Sequence, residues 1–141
     1  MFVDDVVPYE LMKLRMLNGS HSLIAYLGVL LGHKFVRDVM NQPMLRMLVI
    51  RHLQAAMKTL NSVNQIDFIQ YSDELIERFS DLSLAHETKQ IAMDGSEKIP
   101  QRIIEPAIHA LDNQQDFRTF AFTTALWMRY ILEYSDNGST Y

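Results

Sequence analysis

Lys13, Asn18 and His21 stand at K-x4-N-x2-H spacing, a set of side chains suited to carbonyl and alcohol chemistry. At about 100° per helical residue, Lys13 and His21 are roughly 80° apart and Asn18 is within about 60° of His21. One side of a helix could therefore present an amine, an amide and an imidazole to a small polar molecule. A lysine in a desolvated pocket can be tuned toward neutrality and act as a general base, while amide and imidazole donors polarise a carbonyl or hold an alkoxide. Gly19 and Ser20 would let a substrate or a second backbone come close. The same spacing also fits a surface lysine, a locally bonded asparagine and a partly buried histidine.

A second candidate is Gln90 to Arg102, which reads Q-I-A-M-D-G-S-E-K-I-P-Q-R. It packs a helix end, a turn and a new helix start together, and helix starts attract anions through free N–H groups. Lys98 and Arg102, at i and i+4, fall where cations oppose the helix dipole, and a ligand carboxylate or phosphate would offset that conflict. An ordinary capped turn with solvated charges is the alternative.

Other features point away from particular chemistries. There is no cysteine, which excludes thiol catalysis, disulfides and cysteine-based zinc sites. His33, His52, His86 and His109 lack metal-ligand spacing, no serine has a G-x-S-x-G context, and Gly28-x3-Gly32 reads as a close helix crossing instead of a nucleotide loop. The nine methionines and the Trp127–Tyr130 pair fall at core spacing.

The elements that must position these groups are helices. Apolar residues from Leu11 to Leu31 predict a helix from about Pro8 to Gly32, interrupted at Asn18-Gly19-Ser20. A second helix starts at Pro43 and runs to about Leu60. Asp67 with Gln70 resembles a capping box for a third, burying Phe68, Tyr71, Leu75 and Phe79. A short segment, Leu84 to Met93, should stop at Asp94-Gly95. Pro100 should begin another helix to about Leu111, with a kink or early stop at Pro106. The last helix covers about Phe117 to Tyr134 through Phe120, Ala121, Thr124, Trp127, Met128 and Ile131. Only Phe2 to Val7 has strand character, and both chain ends read as cut.

At 141 residues the chain suits one domain and not two lobes. Thirteen Lys and Arg against seventeen Asp and Glu leave a net charge of -4, no reason to expect nucleic acid or an anionic membrane as partner. The acidic start is unlike a signal peptide, and the longest apolar stretch, Leu23 to Leu31, is too short to span a bilayer. A soluble cytoplasmic protein is expected, with no metal.

Val6 to Ser22, which includes V-V-P-Y-E-L-M-K and N-G-S-H-S, then Ala25-Tyr26-Leu27-Gly28, Gln90 to Arg102 and Trp127-Met128-Arg129-Tyr130 resemble the C-terminal domain of the mannitol dehydrogenase family, the polyol-specific long-chain dehydrogenases. The wording is most similar to the fructuronate reductase (D-mannonate oxidoreductase) branch, whereas the mannitol 2-dehydrogenases tend to have Arg where this chain has Gln90. The resemblance implies an all-α, multi-helix domain like the 6-phosphogluconate dehydrogenase C-terminal fold, partnered in the parent enzyme by a Rossmann domain that binds NAD. It implies Lys13 as general acid/base, Asn18 and His21 beside it in the catalytic set, and Gln90 and Lys98 among the substrate contacts, for a sugar acid or polyol. Arg102 as a carboxylate partner is an addition from its place one turn after Lys98. Lys89, Glu97 and Leu126 depart from the usual Trp, Gln and Gly. The expectation is one helical substrate and catalytic domain over 1–141, lacking the Rossmann domain, truncated at its C-terminal end and inactive alone without a cofactor site. The substrate alternatives are mannitol/fructose and altronate/tagaturonate. A non-catalytic helical module is the alternative function, and self-association through an exposed domain interface is expected.

Overall fold

The computed structural model describes residues 8–62 and 65–134, and these are helical throughout apart from connections. A helical turn over 8–12 leads into a π-helical turn, Lys13–Asn18 (π1), and then into α1, Gly19–Leu31. The interruption expected at Asn18-Gly19-Ser20 is absent. The helix passes these poor formers by widening, with the Gly19 N–H reaching back five residues to the Leu14 carbonyl. Gly32 ends α1 in the left-handed conformation, φ 83°, so only Gly28 of the Gly28-x3-Gly32 pair makes a close crossing, under the Thr88 methyl.

Val36–Met40 (α2) is a one-turn helix that periodicity does not reveal. Pro43–Lys58 (α3) starts at its proline as expected. Phe68–Phe79 (α4) is capped by Asp67, whose Oδ1 accepts from the N–H groups of Ile69 and Gln70 at 2.9 and 3.2 Å. Gln70 does not return the bond; its amide donates to Glu74, so the cap is one-sided and not a box. Leu75 and Phe79 are buried, as is Ile76, while Phe68 and Tyr71 are half-buried.

The next stretch differs most from expectation. Only Thr88–Ile91 (α5) of the segment Leu84 to Met93 is helical, and a new helix, Gly95–Ile99 (α6), opens directly after Asp94. It continues through a second π turn, Pro100–Ile104 (π2), into Glu105–Asp112 (α7). Helix therefore begins five residues before Pro100. Pro106 causes no stop, because the widened turn before it, with the Glu105 N–H bonded to the Pro100 carbonyl, lies where the missing proline N–H would disturb an α register. Arg118–Tyr134 (α8) completes the described chain. The strand-like Phe2 to Val7 and the turn-like end fall outside the described residues.

Helix α1 is apolar on all sides, with Leu23, Ile24, Ala25, Tyr26 and Leu27 buried, and it forms the centre against which α2, α3, α5 and α8 pack. The loop before α2 is tied to α5 by Thr88, whose N–H bonds the Lys34 carbonyl at 2.9 Å and whose hydroxyl bonds that of His33 at 2.7 Å. Phe35 and Glu87 pair in a single antiparallel bridge, the described residues containing no strand. Met12, Met16 and Met40 are core, but Met44, Met47, Met93 and Met128 are exposed, so core spacing overstated the burial of methionine. On α8, Ala121 and Met128 face outward; Phe120, Thr123 and Tyr130 supply the buried face. No described helix is long and apolar enough to cross a membrane.

Candidate functional site

The π turn decides how the first constellation is presented. In an α-helix Lys13 and Asn18, five residues apart, would point about 140° away from each other. In a π turn residue i accepts from residue i+5, and with more residues per turn than in an α-helix the two side chains lie nearer the same side. The widening therefore brings the amine and the amide to one face, which α spacing would not do. Lys13 is exposed and makes no side-chain hydrogen bond or ion pair among the described residues, and Asn18 is half-buried. No desolvated pocket for Lys13 is formed by these residues.

The widened turn is supported from outside. Ser20 Oγ donates to the Met16 carbonyl and, at 3.1 Å, to that of Leu17. Arg102 Nη1 donates to the Asn18 carbonyl at 3.4 Å and to Ser22 Oγ at 3.2 Å. A Cβ on Gly19 would lie 2.7 Å from His52 Nε2 and 3.1 Å from the Arg102 carbonyl, so the His52 ring and then a second backbone come close there.

His21 projects from the first turn of α1 toward α4 and the loop after it. Its ring lies 5.0 Å from that of Phe79 and 6.3 Å from that of His86. Arg37 fixes this loop by donating to the carbonyls of Leu82 and Leu84 at 3.1 and 2.9 Å. Burial lowers the His21 pKa to about 4, and His86, Arg102, Arg78 and Lys98 each push it the same way. The groups that bear on His21 are thus all basic. Arg78 has no signal in the sequence and His86 enters it only as a histidine without metal-ligand spacing; neither has a spacing relation to the other candidates. Lys98 and Arg102 come together as expected, and burial, then the neighbouring Arg102, lowers the Lys98 pKa. The dipole conflict is relieved by the chain itself, however, because Lys98 Nζ donates to the Ile91 carbonyl at the end of α5, 3.2 Å away. Gln90 is exposed on α5, at the other side of that turn.

Arg102 joins Asn18 to His21 and Lys98, and no enclosed pocket among the described residues gathers the candidates, so the site is open. The cavity that touches His21, Arg78 and His86 measures about 10 Å³, room for one water at most. Larger clefts, of about 540 Å³ beside Tyr130 and Tyr134 and about 620 Å³ beside Arg51 and Lys58, contain none of the candidate residues.

The depressed histidines make stability pH-dependent. His21 and the fully buried His52 both have a pKa of about 4 in the fold against an ordinary 6.5. Between those values the unfolded chain binds more protons than the folded one, so stability falls as pH is lowered from about 6.5 and levels off below about 4. The urea midpoint is expected to drop across that window with a slope approaching two protons; a midpoint unchanged from pH 7 to pH 5 would contradict it.

Residues 5–141 match the family described as mannitol dehydrogenase C-terminal domain. The chain is similar to the D-mannonate oxidoreductase of Escherichia coli (strain K12), with 46% identity over 139 residues that cover 98% of this chain and 29% of that protein. It is 36% identical over 140 residues to a mannitol 2-dehydrogenase of Aspergillus terreus, covering 99% of this chain and 28% of that one. Its fold superposes on Pseudomonas fluorescens mannitol 2-dehydrogenase, solved as a ternary complex with NAD and D-mannitol, with a TM-score of 0.86 and 32% identity over 91% of this chain and 26% of that chain. The chain thus spans less than a third of the length of these relatives.

Proposed function

Because the chain belongs to the mannitol dehydrogenase family, as the match over residues 5–141 establishes, we propose that it is the substrate-binding and catalytic domain of an oxidoreductase that interconverts a keto sugar acid and its alcohol, of the fructuronate–mannonate type. The observation that supports the acid reading is the set of basic side chains that bear on His21. Arg78, Lys98 and Arg102 bear on it along with His86, and none is within ion-pair distance of a carboxylate among the described residues, although Asp94 and Glu97 act on Lys98 from farther away. A substrate carboxylate would supply a close anionic partner to Arg78 and Arg102, which have no carboxylate within ion-pair distance among those residues.

Within this reading Lys13 Nζ exchanges a proton with the reacting oxygen and the Asn18 amide donates a hydrogen bond to it. His21, neutral at pH 7, bonds a substrate hydroxyl, Lys98 and Arg102 bind the carboxylate, and Gln90 flanks it. The described residues offer no dinucleotide cradle, since none is in a strand and no glycine-rich strand–turn–helix occurs. The hydride chemistry belongs to a cofactor held elsewhere, NAD in this reading, bound by a Rossmann domain that also closes the open face. That openness favours one other reading, a non-catalytic helical module that keeps the family sequence.

Calorimetric titration of the chain with D-mannonate and D-mannitol tests the proposal. Mannonate should bind more tightly, and Arg102→Ala should weaken it about ten- to a hundredfold, the worth of a charged hydrogen bond, beyond any loss for mannitol that comes from the released Asn18 carbonyl. Equal affinity for acid and polyol would remove the case for an acid substrate. Turnover of fructuronate with NADH by an enzyme carrying this chain would exclude the non-catalytic module.

A further inference from the structure

The Gly19 N–H donates to the carbonyls of Leu14 and Met16 and passes over Arg15, the acceptor that an α register would give it. The Arg15 carbonyl is occupied instead by a side chain from another helix. His52 of α3 approaches it with Nε2 at 2.8 Å. A carbonyl can only accept, so Nε2 carries the proton and Nδ1 is bare, which agrees with Nδ1 having no partner although it is buried. The ring is fully buried, edge-on to Phe120 at 5.5 Å, and a Cβ on Gly19 would run into it. Burial holds its pKa near 4, so the donor form is uncharged at neutral pH. The same helix grips the turn a second time, because Arg15 Nη1 donates to the Thr59 carbonyl and hydroxyl just past the end of α3, at 3.1 and 3.2 Å.

We propose that His52 is a positioning residue: by taking the Arg15 carbonyl it keeps the Gly19 N–H in π register, and so keeps Lys13 and Asn18 on one face. His52 touches no substrate. It acts through one backbone oxygen, 37 residues away in sequence. Without that donor the Arg15 carbonyl regains the Gly19 N–H, the turn tightens by one residue, and Asn18 rotates away from Lys13. The register does not depend on what the protein binds, whereas its consequence for ligand affinity rests on the function proposed above.

Register can be read directly in the full chain from NMR couplings across hydrogen bonds, which identify the carbonyl that accepts each amide. In the unmodified protein and in His52→Gln, whose amide can reach the same oxygen, the Gly19 amide should couple to Leu14. In His52→Phe, which keeps the ring but not the donor, it should couple to Arg15. D-mannonate affinity should fall at least tenfold in His52→Phe and recover in His52→Gln. A Gly19–Leu14 coupling that persists in His52→Phe overturns the proposal, as does a switched register with unchanged mannonate affinity. Should His52→Phe not fold, the tautomer of the unmodified protein decides: the Nε2–H form, read from its ring nitrogen shifts, supports the proposal, and the Nδ1–H form overturns it. A chain that binds no mannonate but switches register as described sinks the sugar-acid reading and leaves the role of His52 in the register intact.

Discussion

Gly95→Ala is expected to lower stability by about 3 kcal/mol, the upper end of what overpacking a filled site costs. Gly95 opens α6, and a Cβ there would lie 2.3 Å from Trp127 Nε1, 2.6 Å from the Tyr26 hydroxyl and 2.8 Å from Trp127 Cδ1. Neither neighbour can yield cheaply. Tyr26 is buried in the centre of α1 with its hydroxyl bonded to the Ala92 carbonyl at 3.1 Å, and the indole N–H of Trp127 is buried against the turn without a partner. Against a total of roughly 5–15 kcal/mol for a domain, such a loss is large. Urea denaturation measures it, and Trp127→Leu in the same chain should recover part of it, since the clash is the shared term of the two changes. Gly32→Ala is the contrasting case: there the space is open but φ is 83°, so the cost is backbone strain of about 1–2 kcal/mol that no partner substitution relieves. A Gly95→Ala chain as stable as the parent would show that the indole does not pin this turn.

The Asp94-Gly95 turn also marks where local reasoning ends. As a dipeptide it reads as a breaker, and Asp94 does take a left-handed conformation, φ 62°. What the pair does there is begin a helix, because Tyr26 and Trp127, distant in sequence, cover the glycine. Where the signal is local it was legible: Asp67 caps α4 and Pro43 starts α3 because each acts on N–H groups within three residues. The π turn was not legible for the opposite reason. Its carbonyls are satisfied by His52 and Arg102, 37 and 84 residues away, and no periodicity within Lys13–Asn18 encodes those partners. Counting at 100° per residue found Lys13, Asn18 and His21 but set the first two on opposite sides of the third. Arg78 carries no sequence signal and His86 only the absence of metal-ligand spacing: one lies in the last turn of an amphipathic helix, the other in a loop, and only the fold turns both toward His21. Helix α2 was too short, at five residues, for any period to register.

In a complete enzyme that carries this chain, Lys13→Met should reduce kcat by roughly 10²- to 10⁴-fold, the usual worth of a positioned general acid or base, with little change in KM. The structure makes this a clean test. Lys13 is exposed and holds no other group, so its loss should cost the fold no more than about 0.5 kcal/mol, and a fall in rate can be assigned to chemistry. Asn18→Ala should also act on kcat, by roughly 10²-fold, because a donor aimed at a developing alkoxide matters most in the transition state. If the two groups serve one oxygen from one face, as the π turn arranges them, the double substitution should cost much less than the product of the singles. Added methylamine separates the roles further. It should restore part of the rate to Lys13→Ala by replacing the missing amine, and it should do nothing for His52→Phe, where the amine is present but turned away from the amide. A Lys13→Met enzyme that keeps half or more of its kcat would remove Lys13 from the mechanism, while methylamine rescue of His52→Phe would mean that the lost function was the amine itself and not its placement.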